Sequence, residues 1–314
     1  MDVCVLGRIG YDLHAVEHGR PLAQVEHFSR HVGGSSANIA VGLARLGLGV
    51  GIISCLGKDP LANYLLDFLR QERVDTQFVR LIEGYNTSLC LTEVCPPDRF
   101  TQVFYRREAA DTQVRFGPAE KGYLERAQMF VSNGTSLAAS PAREATLEAL
   151  QAARAAGLRT VFDVDYRASS WSSAEEASRV ARSALPWVDI ILANEDELSI
   201  ATDQVGSQAQ VAAALAAGVK VLVRKLGSNG VEAYTPGQLF TAQPFSTQVV
   251  STIGAGDGFA AGFLYAVHRG LSLPDCLQYG NAAAAVVVSR VSCSDAMPQR
   301  EELENMLRAR IETE

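Results

Sequence analysis

Ser251-Thr252-Ile253-Gly254-Ala255-Gly256-Asp257-Gly258-Phe259 leaves a β-prone run, residues 247–250, and leads into a segment rich in Ala, Gly and Phe. Glycines let a backbone come close to a ligand. A helix that begins here turns unpaired N–H groups, and the positive end of its dipole, toward whatever lies before it. Such a place suits the γ-phosphate of a nucleotide in transfer, with the amides of Gly254, Ala255 and Gly256 around it. Asp257 in the first turn is then placed to accept the proton of an attacking hydroxyl. An acidic residue in a first turn also complements the dipole with no chemistry attached, so this segment alone leaves both readings open.

Outward from it, a second glycine turn opens a helix. Gly33-Gly34-Ser35-Ser36-Ala37-Asn38 precedes a run of helical apolar spacing that ends at Gly47. Asn38 offers donors and an acceptor that suit vicinal hydroxyls; a tight turn and a cap are the alternative. Between and around the two segments, short apolar strands (3–6, 50–54, 129–132, 160–163, 190–193, 219–224) alternate with amphipathic helices (37–46, 61–70, 142–156, 208–217). That alternation predicts an α/β sandwich, a parallel sheet covered on both faces. The last third reads as helices over 255–268, 274–289 and 299–311. Residues 24–31 and 88–105 look extended with no helix between strands, and predict a small antiparallel sheet projecting from one compact unit spanning 1–314.

Composition narrows the function classes. The 314 residues carry 28 basic and 35 acidic side chains, a net charge of −7, with 47% apolar and 20% charged residues. An acidic globular chain without a basic tract is a poor partner for nucleic acid or an anionic membrane. No stretch approaches a membrane span. The opening residues lack the pattern of a secretory signal, and the six cysteines form no CxxC pair, so the expectation is a cytoplasmic protein with free thiols. His14/His18 and His27/His31 have the i, i+4 spacing of helical metal ligands. Neither pair lies in a helical pattern, and His14 reads as a lid residue.

Taken together, the GGSSANIAVGLARLG and TIGAGD segments are similar to the two signatures of the ribokinase-like (PfkB) carbohydrate kinases, in the same order and on the same α/β pattern. The resemblance covers nearly the whole chain. It implies an ATP:sugar phosphotransferase, a three-layer sandwich around a mostly parallel sheet, and a β-sheet lid over the sugar, here near 12–32 and 86–108. It further implies sugar contacts at Asp12, Gly33, Gly34 and Asn38. Asn194 and Glu197, from the family's N-x-x-E motif, are implied to support Mg²⁺ through water. Lys225, Gly227 and Gly230 would lie beside the nucleotide, Asn194 near its phosphates and Asn281 at the adenine. A homodimer through the lid is a family habit. Ser251 stands where the family commonly has Asp, and 292–298 lack its usual glycine, two departures from the residues that hold the family's monovalent cation, whose use the sequence leaves open.

Two arginines point to the acceptor. Phe104-Tyr105-Arg106 ends the predicted lid strand, and Asp163-Val164-Asp165-Tyr166-Arg167 follows a core strand. Guanidinium forks bind carboxylate bidentately, which a neutral hexose does not need. Tyr105, Arg106, Asp165 and Arg167 are therefore expected to hold a sugar acid. The arrangement is similar to sugar-acid kinases of the 2-keto-3-deoxygluconate type. With Asp165 in the third position, and with the Cys-Pro-Pro and Ala-Met-Pro stretches, it looks most like the subgroup acting on 5-dehydro-2-deoxy-D-gluconate. A 2-keto-3-deoxygluconate kinase is the runner-up, fructokinase or ribokinase activity comes behind it, and a non-catalytic sugar-acid sensor is the competing reading from another class.

Overall fold

The computed structural model describes residues 1–96, 99–291 and 293–311. Pro97 in the Cys-Pro-Pro stretch and Ser292 thus lie outside the described residues. Thirteen strands are described: β1 Val3–Leu6, β2 Gly10–Ala15, β3 Phe28–Gly33, β4 Val50–Gly57, β5 Asp75–Ile82, β6 Leu89–Thr92, β7 Gln102–Tyr105, β8 Met129–Asn133, β9 Arg159–Asp163, β10 Ile190–Ala193, β11 Val221–Lys225, β12 Val231–Thr235 and β13 Gln238–Ala242. The helices are α1 Ser35–Arg45, α2 Pro60–Gln71, α3 Pro118–Leu124, α4 Ala142–Ala155, α5 Ala174–Ala184, α6 Glu195–Thr202, α7 Ser207–Ala216, α8 Ala255–His268, α9 Leu273–Val288 and α10 Arg300–Ile311.

Nine strands form the central sheet in the order β13-β12-β11-β10-β9-β8-β1-β4-β5, parallel except for the β11–β12–β13 meander at one edge. The strands read as unbroken apolar runs because both faces are buried. In β1, Val3 and Val5 enter the core beneath α1, α2, α8, α9 and α10, while Cys4 and Leu6 enter the core beneath α3 to α7. This is the three-layer ribokinase-like sandwich. All six cysteines are free and buried.

The segments expected to form the lid lie in a separate, four-stranded sheet, β3-β2-β6-β7. It is mixed rather than purely antiparallel: β2 pairs antiparallel with β3 but parallel with β6. The crossover through α1, β4, α2 and β5 between β3 and β6 brings the chain back in the direction of β2. Residues 247–250, expected as a strand, have no sheet partner; Val250 and Ser251 instead donate their N–H groups to the carbonyl of Val288 at 2.7 and 3.1 Å, at the end of α9.

Candidate active site

Parallel strands deliver their following residues to one end of the sheet, where ligands collect in open α/β folds. Here a cavity of about 450 Å³ lies over those ends, closed on one side by the lid. Arg8 follows β1, Thr135 follows β8, Asp163 to Arg167 lie at and after β9, Asn194 follows β10, and Lys225 ends β11; all reach this cavity except Val164 and Tyr166.

The two glycine-rich segments meet in it. Gly254 takes a left-handed conformation (φ 78°) as the N-cap of α8, which places Asp257 in the first turn. Ser35 Oγ donates to Asp257 Oδ1 at 2.6 Å, and Asn38 Nδ2 donates to Oδ2 at 2.7 Å. Asn38 is itself fixed by Ser294 Oγ, which donates to its Oδ1 at 2.6 Å, and Ser35 Oγ accepts from Asn133 Nδ2 at 2.9 Å. Burial pushes the Asp257 carboxyl above the ordinary aspartate range, helped by the charge of Asp165 and opposed by Ser35, Asn38 and Arg167. Gly34 has φ 93°, and a Cβ there would lie 2.4 Å from the carbonyl oxygen of Arg8; only glycine lets α1 start this close to the β1–β2 connection.

On the nucleotide side, Asn194 and Glu197 form a reciprocal capping box at the start of α6, each side-chain oxygen accepting the other's N–H at 2.8 Å. Lys225 Nζ donates to Asp163 Oδ1 at 3.1 Å and lies 3.8 Å from Glu197 Oε2. Burial alone would lower the lysine pKa, but Asp163 and Glu197 more than reverse it, so Lys225 stays charged. Burial pushes Asp163 up, against the pull of Lys225 and with the push of Glu197, Asp165 and Asp257. Gly227 lines the cavity. Gly230 does not: its close neighbour is the carbonyl of Ala242. Asn281, expected at the adenine, instead donates through Nδ2 to the carbonyls of Gln243 (2.9 Å) and Ala242 (3.2 Å), tying down the end of β13.

On the lid side, Asp12 lines the cavity and Gly33 lies behind it: a Cβ on Gly33 would lie 2.0 Å from Asp12 Oδ2. Arg106 is largely buried, donating through Nε to Asp111 Oδ2 and through Nη2 to the Thr135 carbonyl, both at 2.7 Å. Arg167 is 48% exposed and pairs with Asp165 at 3.0 Å. Asp165 sits at φ 32°, a strained backbone for a residue with a side chain, and accepts from Thr135 Oγ1 at 3.3 Å. Tyr105 departs from the expectation. Strand alternation turns Gln102, Phe104 and Arg106 to the cavity and leaves Tyr105, 60% exposed, on the outer face with Val103. Of this neighbouring pair, the aromatic that faces the cavity is Phe104.

Sequence reasoning passed over a third guanidinium. Arg8 is buried in the cavity wall, 5.4 Å from the centre of the Phe104 ring, with Nε donating to Ser88 Oγ at 3.0 Å and Nη2 to Asp12 Oδ1 at 3.3 Å. Its position directly after β1 was the available signal. Asp163 and Ser35 were quoted within their segments but given no role. The assembled site holds a buried aspartate whose pKa is raised at a helix N-terminus, groups able to bind hydroxyls beside it, and three guanidinium groups around an acceptor-sized space. That arrangement can move a proton from an alcohol while holding anions on both sides of it.

The chain matches, over residues 1–300, the family described as pfkB family carbohydrate kinase. A relative from Lacticaseibacillus casei, named 5-dehydro-2-deoxygluconokinase, is 38% identical over 306 residues, covering 96% of this chain and 94% of its own. Among solved structures, the PfkB protein from Polaromonas sp. JS666 superposes with a TM-score of 0.86 at 26% identity, over 97% of this chain and 99% of that one. Aminoimidazole riboside kinase from Salmonella enterica, complexed with aminoimidazole riboside and an ATP analogue, gives a TM-score of 0.82 at 26% identity, over 98% of this chain and 100% of that one.

Proposed function

This chain belongs to the pfkB family of carbohydrate kinases, and on that premise we propose that it transfers the γ-phosphoryl group of ATP to the primary hydroxyl of a sugar acid, 5-dehydro-2-deoxy-D-gluconate. The observation that carries the reading is Asp257: a carboxylate at the N-terminus of α8, oriented by Ser35 and Asn38, in a cavity shared with Arg8, Arg106 and Arg167. The name of the Lacticaseibacillus casei relative supports the acceptor, and the ATP analogue in the Salmonella enterica kinase supports the donor.

Asp257 takes the hydroxyl proton as the alcohol oxygen bonds to the γ-phosphorus and the bond to the bridging oxygen breaks, releasing ADP. The amides of Gly254, Ala255, Gly256 and Asp257 meet the charge that builds on the phosphoryl oxygens. Asp12, Gly34, Asn38 and Asp165 hold the acceptor hydroxyls. The guanidinium groups of Arg106 and Arg167 hold its carboxylate, with Arg8 adding positive potential. Lys225 and Gly227 border the nucleotide. Mg²⁺, when bound, offsets charge on the phosphates. The hard oxygens of Asn194 and Glu197 fit it through intervening water, since the capping box already engages both side chains with backbone N–H groups. Val103 and Tyr105 on the outer face of β7 suit pairing of two lids into a homodimer.

An ATP-consumption assay over 5-dehydro-2-deoxygluconate, 2-keto-3-deoxygluconate, fructose and ribose tests the reading. The first is expected to give the highest kcat/KM. A higher value for a neutral sugar rejects the sugar-acid assignment, and no turnover with any of them favours a sensor.

A further inference from the structure

His14 lies near the end of β2, two residues after Asp12, so both side chains leave the same face of the strand. The imidazole is fully buried (0% exposed), and neither Nδ1 nor Nε2 has a hydrogen-bond partner among the described residues. An imidazole always carries polar nitrogens, and leaving one buried and unsatisfied costs about 1–3 kcal/mol. The neighbouring His31 ring, 4.9 Å away between centroids, hydrogen-bonds Ser29 and Asp295. Against this face comes Cys293, itself buried, just ahead of the short turn Ser294–Ala296. One carboxylate oxygen of Asp12, one ring nitrogen of His14 and the sulfur of Cys293 all lie within 4.8 Å of one another.

We propose that Asp12, His14 and Cys293 form a binding site for a borderline divalent transition-metal ion of the Zn²⁺ type. The donor set decides the class of ion: nitrogen and thiolate sulfur suit Zn²⁺ and Co²⁺, whereas Mg²⁺ and Ca²⁺ take oxygen. This separates the site from the phosphate-binding end of the cavity. Neither ring nitrogen of His14 is engaged elsewhere among the described residues, so a lone pair is free to ligate. Binding displaces the Cys293 proton to solvent. The charges of thiolate and carboxylate then match those of the ion, and Arg8 keeps its bond to Asp12 Oδ1. Asp12 and Cys293 also line the acceptor cavity, so with three protein ligands the fourth position falls on the cavity side, the pattern of an open rather than a closed site.

The test is titration of the chelator-treated full-length protein with Co²⁺, without nucleotide or sugar, followed by absorption and calorimetry. One equivalent is expected to bind, with a thiolate-to-cobalt band in the near ultraviolet. Cys293→Ser is expected to abolish the band, and His14→Gln to weaken binding on the order of 100-fold, each with an unchanged circular dichroism spectrum. Should a variant misfold, anomalous scattering at the zinc edge from a soaked wild-type crystal decides the matter: a peak between these three residues supports the site. A wild-type protein without the band, a band that survives in folded Cys293→Ser, or a peak elsewhere overturns it. No step uses the kinase reaction, so failure here leaves the proposed activity standing, and failure of that activity leaves this site standing.

Discussion

Lys225 and Asp163, at the ends of β11 and β9 on either side of β10, form a largely buried ion pair with Nζ 3.1 Å from Oδ1. Removing one partner of such a pair strands the other charge in a poorly solvated place. Lys225→Met is therefore expected to destabilise the protein by about 3–5 kcal/mol in urea denaturation. The double variant Lys225→Met/Asp163→Leu is expected to recover most of that loss, because no unpaired charge remains at the pair. Equal destabilisation in single and double variants contradicts the pairing.

Asp257 sets the acid limb of the pH profile. A general base works only when ionised, so kcat/KM is expected to fall as pH drops through its pKa, which burial places above the ordinary aspartate value. Asn38 stabilises the ionised form through its hydrogen bond. In Asn38→Leu the acid limb is expected to move to higher pH, measured from kcat/KM at fixed saturating ATP. A shift to lower pH is inconsistent with that bond.

Gly34→Ala places a methyl group 2.4 Å from the Arg8 carbonyl oxygen at a backbone φ of 93°. Gly157 has φ 76° but nothing within 4 Å of an added Cβ. Gly157→Ala thus carries the backbone strain alone, about 1 kcal/mol. Gly34→Ala is expected to cost roughly 1–3 kcal/mol more, from the displaced β1–β2 connection. Urea midpoints of the two variants compare them directly.

Arg167 is the cleaner probe of carboxylate recognition, because its partner Asp165 leaves it 48% exposed whereas Arg106 is locked against Asp111. Loss of a hydrogen-bonded charge contact is worth about 1.5–3 kcal/mol. Arg167→Ala is accordingly expected to raise KM for the sugar acid roughly 10- to 100-fold, with little change for a neutral sugar. Equal effects on both acceptors would remove Arg167 from carboxylate binding.

Much of the fold was legible where local pattern and burial agree. The apolar run of β10 and the start of α8 at Ala255 fall where periodicity places them. The glycine turns at 33–34 and 254 were legible because a Cβ would collide at Gly33 and Gly34 and because Gly34 and Gly254 take positive φ. The β12–β13 hairpin was not, since Glu232, Tyr234 and Thr241 dilute its alternation at a sheet edge. Tyr105 and Phe104 show a different limit: neighbouring residues on a strand face opposite ways, and only pairing with β6 fixes which one looks inward. His14 shows a third. Its i, i+4 spacing to His18 is that of helical ligands in a segment without a helical pattern, but its neighbours are Asp12, two residues away on a strand, and Cys293, which only the folded chain brings near. Long-range contacts of this kind leave no local signature.

The central claim is that Asp257 deprotonates the acceptor. The most direct measurement is turnover and ATP binding in Asp257→Asn, which keeps the side-chain shape and removes the base. The account predicts kcat lower by at least about 10²-fold, with ATP affinity essentially unchanged. Wild-type turnover in that variant would contradict it.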